Sequence, residues 1–200
     1  MRGNWPLRLG VLVAVFAAEI VVAAPPIYAH VVGDAGGGFK SGFVHPVLGP
    51  DHLLAMLAVG IWGAQMGGRA VWTLPVTFPM IMAIGGLIGM SGIAISHVEL
   101  GIGISVLTLG LAIAAAWKAP EYLSLGLIAF FALCHGYAHG VELPNAADPA
   151  SYAIGFVVAT GLIHITGISL GLLLGRPFKG MLSRALGFAI AVAGAYFIAG

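Results

Sequence analysis

Six stretches of this 200-residue chain are apolar enough to cross a bilayer as helices: roughly 42–66, 71–91, 98–117, 121–141, 150–174 and 181–199. Each approaches the ~20 residues that a helical span requires. A segment in hydrocarbon must satisfy its own backbone hydrogen bonds, so these stretches specify an all-α, polytopic membrane bundle of about six transmembrane helices. The links are short, so sequential neighbours run antiparallel. Only 8% of residues are charged and 60% are hydrophobic. A soluble domain carries about 25% charged residues, which excludes a water-soluble globule. The 31 glycines suit close helix approach in lipid. The net charge of +1 offers no basic stripe for phosphates, so nucleic acid is excluded as a partner. Cys134 is the single cysteine, which rules out an internal disulfide or a paired-cysteine zinc site.

The first 30 residues place Arg2 and Arg8 before an apolar run that ends in small residues, the layout of a secretory signal peptide. Cleavage after Ala29 makes 1–29 the signal and 30–200 a single transmembrane domain starting at His30, whose amine and imidazole are adjacent ligands. Cleavage after Ala23 and an uncleaved first helix, with Glu19 in its apolar run, are the competing readings. Charges in the links are sorted by side. Arg69, Lys118, Arg176, Lys179 and Arg184 fall on one side. "SGIAISHVE" and "VELPNAADP" on the other side hold no Lys or Arg, and only Lys40 breaks the pattern. The positive-inside rule puts the Arg/Lys side in the cytoplasm and the residue-30 end outside. Trp62, Trp72 and Trp117 fall near the inner ends of spans, where interfacial aromatics are expected.

Six of the seven histidines gather toward the outer side on this map: His30, His45, His52, His97, His135 and His139. His164 alone lies deep in the fifth span. His135 and His139 are i, i+4 and share a helix face, which Glu142 continues. In a regular helix, at 1.5 Å per residue, His52 would lie about 10 Å deeper than His45. Regularity is not expected there. Pro46 and Pro50 cannot donate backbone hydrogen bonds, and Gly49 loosens the turn between them. "HPVLGP" therefore reads as an opened entry turn, and "PDH" as the start of a new helical segment with Asp51 near its N-terminus. Ionisable groups within spans usually mark ion or substrate routes. His45, Asp51, His52, His135, His139 and Glu142 make a metal-like set, with His30, His97, Glu99 and His164 secondary to it. His97 with Glu99 also reads as an interfacial pair, His164 as a packing residue, and Met56 and Cys134 as core filler.

Imidazole with carboxylate suits Ni²⁺, Co²⁺, Zn²⁺ or Cu²⁺ rather than Mg²⁺ or Ca²⁺. No GxxxxGK[ST] loop is present, so ATP is not the direct energy source. The membrane potential favours inward movement of a dication by about 2.3 kcal/mol per charge per 100 mV. Neutral imidazole is the ligating form, so binding is expected to weaken below about pH 6.

"HPVLGPDHLLAMLAVG" and "HGYAHGVE" resemble the two signatures of the HupE/UreJ family, the hydrogenase/urease accessory membrane proteins. The first pattern, H-P-x-x-G-x-D-H, is met at His45, Pro46, Gly49, Asp51 and His52. The second, H-G-x-A-H-G-x-E, is met at His135, Gly136, Ala138, His139, Gly140 and Glu142, with Cys134 where the family usually has Phe. The resemblance covers the whole chain. It implies a nickel permease of the bacterial inner membrane that supplies metal to hydrogenase or urease maturation. It implies no enzyme activity and no prosthetic group, only a transported ion and the lipid bilayer as partners. Self-association into a homo-oligomer is compatible with it. The other classes open to these residues are an intramembrane metal-dependent hydrolase and a periplasm-facing protein that binds metal without moving it.

Overall fold

The computed structural model describes residues 38–143, 148–176 and 180–200. Among them are seven α-helices and no strand: α1 (Gly38–Leu48), α2 (Pro50–Met66), α3 (Ala70–Met90), α4 (Val98–Ala114), α5 (Glu121–Glu142), α6 (Pro149–Gly175) and α7 (Met181–Ala199). The expected signal segment 1–29 and His30 lie outside the described residues. Short links make α2 to α7 alternate in direction. At one end the Trp62 Nε1–H donates to the Trp117 carbonyl at 2.9 Å. At the other, the Tyr137 hydroxyl donates to the Ile93 carbonyl and accepts from the Ile95 N–H, both at 2.8 Å.

Four helices, α3, α5, α6 and α7, are long and apolar enough to cross a bilayer, and the α1–α2 pair taken together makes a fifth. The chain is a multi-pass membrane protein. The remaining expected span, 98–117, third in chain order, is realised as a helix of only 17 residues, Val98–Ala114. At 1.5 Å per residue it reaches about 26 Å, short of the ~30 Å hydrocarbon core. Large side chains such as Trp72, Leu87, Tyr122, Phe130 and Leu173 are exposed on the outside of the bundle, as suits a surface against lipid.

The expected span 42–66 is not one helix. It starts at Gly38 and bends by 78° between Leu48 and Pro50. Pro50 occupies the first turn of α2, where a missing N–H costs nothing. It forces the residue before it out of the helical region, and Gly49 accordingly takes φ −80°, ψ 104°. The Gly49 N–H closes α1 on the His45 carbonyl at 3.1 Å, and the Gly49 carbonyl opens α2 by accepting from Leu53 at 2.8 Å. One residue therefore ends one helix and begins the next.

Helices α3 and α5 pack most closely. A Cβ on Gly136 would overlap the Met82 carbonyl, and one on Gly140 would overlap the Gly86 carbonyl. Only glycine lets the two backbones lie this near, which is how helices associate where lipid removes the hydrophobic drive. Fully buried Met56, Trp62, Phe78, Ile113 and Ile128 fill the core. Trp62 is thus no interfacial anchor: it is 0% exposed and stacks on Trp117 with ring centroids 5.8 Å apart. Its indole N–H finds a carbonyl inside the bundle, so it needs no headgroup layer. Trp72 and Trp117 remain exposed. Asp148 caps α6 by accepting from Ser151 Oγ at 2.6 Å and Ala150 N at 3.1 Å; these bonds hold its carboxyl below the usual carboxylate range.

Candidate metal centre

Two local patterns present the polar side chains. On α5 the i, i+4, i+7 spacing of His135, His139 and Glu142 aims all three along one face. Gly136 and Gly140 each follow a histidine by one residue, a turn of ~100° about the axis. The glycine face seats α5 on α3 and leaves the histidine face turned to α1 and α2. His45 comes from the last turn of α1, and Asp51 and His52 from the first turn of α2.

These two groups converge. The ring centroid of His139 lies 4.6 Å from that of His45 and 4.4 Å from that of His52. The His52 and His135 rings are 4.7 Å apart. The bend at Gly49 brings His45 and His52 to 6.1 Å, much closer than the ~10 Å rise of an unbroken helix. His45 Nε2 stands 3.9 Å from Glu142 Oε2. One ligand atom from each of His45, His139 and Glu142 lies within 4.8 Å of the others. Around a tetrahedral ion with bonds of about 2.1 Å, ligand atoms stand roughly 3.4 Å apart, so a closure of about an ångström would bring these three to ligating positions, with a fourth left for another donor. Exposure falls inward. The Glu142 side chain is 37% exposed and that of His45 17%, whereas His52 is 7%, His139 6% and His135 0% exposed.

Hydrogen bonds fix the ring protons. His52 Nδ1 donates to Asp51 Oδ1 at 2.8 Å, which leaves Nε2 without a partner. Ser105 Oγ spends its proton on the Ile102 carbonyl at 2.6 Å, so at 2.9 Å it accepts from His135 Nε2 and leaves His135 Nδ1 bare. Neither ring nitrogen of His139 has a partner. Buried polar atoms are ordinarily hydrogen-bonded, and each left bare costs on the order of 1–3 kcal/mol. Four unpartnered imidazole nitrogens in one cluster, beside two carboxylates, fit a cation that the nitrogens would ligate. Asp51 has the position of a carboxylate that orients a ligating histidine from behind.

The other sequence-derived candidates are placed differently. His97 and Glu99 are exposed at the start of α4, outside the His45–His139–Glu142 group. His164 is buried in the middle of α6, and its ring meets the Phe78 ring edge-on at 5.6 Å. Met56 belongs to the apolar core, and Cys134 lies against Gly101. Sequence reasoning missed Ser105, which fixes the His135 tautomer, and Phe156, whose ring lies 4.3 Å from that of His139. A serine in the middle of the apolar stretch of α4 was the available signal for Ser105. No spacing rule points to Phe156.

A sequence profile of the family described as HupE / UreJ protein matches residues 18–197. The chain is also similar to a curated relative, Protein HupE of Rhizobium leguminosarum bv. viciae. The two are 40% identical over 182 residues, which cover 90% of this chain and 95% of that one. No solved structure matches. With the profile spanning both histidine elements and the bundle that joins them, the chain belongs to the HupE/UreJ family.

Proposed function

We propose that this chain is a divalent transition-metal permease of the bacterial inner membrane, that its ion is Ni²⁺, and that it serves hydrogenase or urease maturation. The observation that carries this reading is the convergence of four imidazoles and two carboxylates, with ring nitrogens left bare at the centre. Such a donor set suits Ni²⁺ and its borderline neighbours Co²⁺, Zn²⁺ and Cu²⁺. No prosthetic group is required. The cluster end faces the periplasm, as does the mature N-terminus once residues 1–29 are removed. Arg69, Lys118, Arg176 and Arg184 face the cytoplasm. Residues 30–200 form one domain, with α4 as a short sixth crossing.

Glu142 and His45 form the mouth, and the gathering of hydrated ions on that side of the membrane is assigned to His97, Glu99 and, as the mature terminus, His30. The ion sheds water as it passes to His139, His52 and His135. In inside-negative vesicles holding the purified chain, ⁶³Ni²⁺ is expected to enter and to stay inside on chelation of the outer medium; saturable binding without entry would refute transport. Asp51→Asn keeps an acceptor for His52 Nδ1 but removes the charge. Its Ni²⁺ affinity is expected to fall about 10- to 100-fold, read by equilibrium dialysis, with thermal stability little changed.

One feature favours an intramembrane metal-dependent hydrolase as the second reading. An apolar cavity of about 390 Å³ between α3 and α6, lined by Met82, Met90, Tyr152 and Phe156 among others, reaches His139. A hydrolase would keep its metal through dialysis and move no isotope.

A further inference from the structure

Two polar atoms lie buried on α6 outside the histidine cluster. Tyr152, Phe156, Thr160 and His164 recur every fourth residue and so form one stripe, all four buried. Phe156, one turn below Tyr152, packs against His139 with ring centroids 4.3 Å apart. Thr160 is 0% exposed, and its Oγ1 has no hydrogen-bond partner. A helical threonine ordinarily donates to the carbonyl four residues back. Thr166 does so to Leu162 at 2.9 Å in this same helix, and Ser169 likewise to Ile165 at 2.8 Å. One turn below Thr160, the His164 imidazole stands beside the Pro75 carbonyl. That carbonyl is free because Pro79, four residues on, has no N–H to give it. His164 Nε2 has no hydrogen-bond partner, at 2% residue exposure. The Phe78 ring neighbours both levels, 5.6 Å from the His135 ring and 5.6 Å from that of His164.

We propose that Thr160 Oγ1 and His164 Nε2 form an inner ion position in series with the outer cluster, with the Phe78 ring as the partition between them. This rests on the transport reading and adds the next station of the route. The ligand is a partly hydrated divalent cation of the borderline class, held by one imidazole and one neutral hydroxyl. A conducting path needs sites that bind strongly enough to admit an ion and weakly enough to release it. Four imidazoles and two carboxylates make a strong outer site. A position with no charged ligand is weak, and it lies on the cytoplasmic side of the strong one.

Thr160→Val replaces the bare hydroxyl with a methyl group and fills the same space. If Thr160 served packing alone, removing an unpaired buried polar atom would leave stability equal or higher and transport unchanged. The inner position predicts instead that ⁶³Ni²⁺ influx into inside-negative proteoliposomes falls about 10-fold or more. Ni²⁺ binding at the outer cluster, read by equilibrium dialysis on the full chain, and the Tm are retained. His164→Gln, which also removes the Nε2 lone pair, is expected to give the same split between binding and influx. Full influx in Thr160→Val overturns the inner position, and so does a parallel loss of Ni²⁺ binding, which would assign Thr160 to the outer site. A wild-type chain that moves no Ni²⁺ brings down the transport reading and this relay together, whereas wild-type influx matched by both variants sinks the relay alone.

Discussion

His139→Ala is expected to abolish Ni²⁺ uptake, with influx at the level of empty vesicles, while the protein still accumulates and folds. His139 sits at the centre of the cluster, with the rings of His45, His52 and Phe156 all within 4.6 Å of its own. It is 6% exposed, yet neither ring nitrogen has a hydrogen-bond partner. A residue kept for stability would not leave two buried polar atoms bare. Truncation loses packing around the ring but also removes two desolvated nitrogens, and these effects oppose each other. The Tm is therefore expected to move little while uptake vanishes. Wild-type influx in this variant would show that the ion does not pass His139. His52→Ala is expected to behave alike, because His52 Nε2 faces the same cluster from α2.

Gly136→Val is expected to fail at an earlier stage, yielding little or no folded protein. The first carbon of any side chain at Gly136 overlaps the Met82 carbonyl on α3, and backbone cannot move aside as the tip of a flexible side chain can. Accepting it would push α5 off α3 and carry His135 and His139 away from α1 and α2. The cost belongs with the severe overpacking cases, above about 4 kcal/mol. Gly126→Ala is the matched control, since Gly126 lies on the same helix and a Cβ there meets nothing within 4 Å. Yield and Tm of the two variants in detergent decide the point. Equal behaviour would mean that the α3–α5 seam does not set the fold.

The paired pattern His-Gly, repeated four residues later, thus has two jobs on faces of one helix about 100° apart. The histidines serve the cluster, and the glycines hold that face at the right distance from α1 and α2. Substituting either member would remove uptake, but only the glycine change would remove the protein. A test that scores uptake alone would confuse the two.

Much of this was readable from local pattern. A helix has a fixed period, so His135, His139 and Glu142 had to share a face wherever α5 packed. Proline chemistry is equally local, and Pro50 after Gly49 announced the break that separates His45 from His52. Apolar length set most helix bounds, and 181–199 was expected and found without change. Other features depended on which helices meet. Trp62 looked interfacial because its position along the chain is near a span end. It is buried because the Trp117 carbonyl from the α4–α5 link satisfies its N–H. The 78° bend was not fixed by the prolines alone, since a break in the helix does not set its angle. Ser105, Phe78 and Thr160 carry no motif, and their importance follows from what stands opposite them. The helical membrane bundle, the break at Gly49 and the three-residue face on α5 were all legible beforehand, because each follows from interactions within a few residues. Which helices meet is a matter of the whole bundle: it brought this face to His45 and His52, left particular ring nitrogens bare and set the Phe78 ring beside both His135 and His164. Those outcomes depend on close contacts between residues far apart in the chain, such as Gly136 against Met82, which no local period encodes.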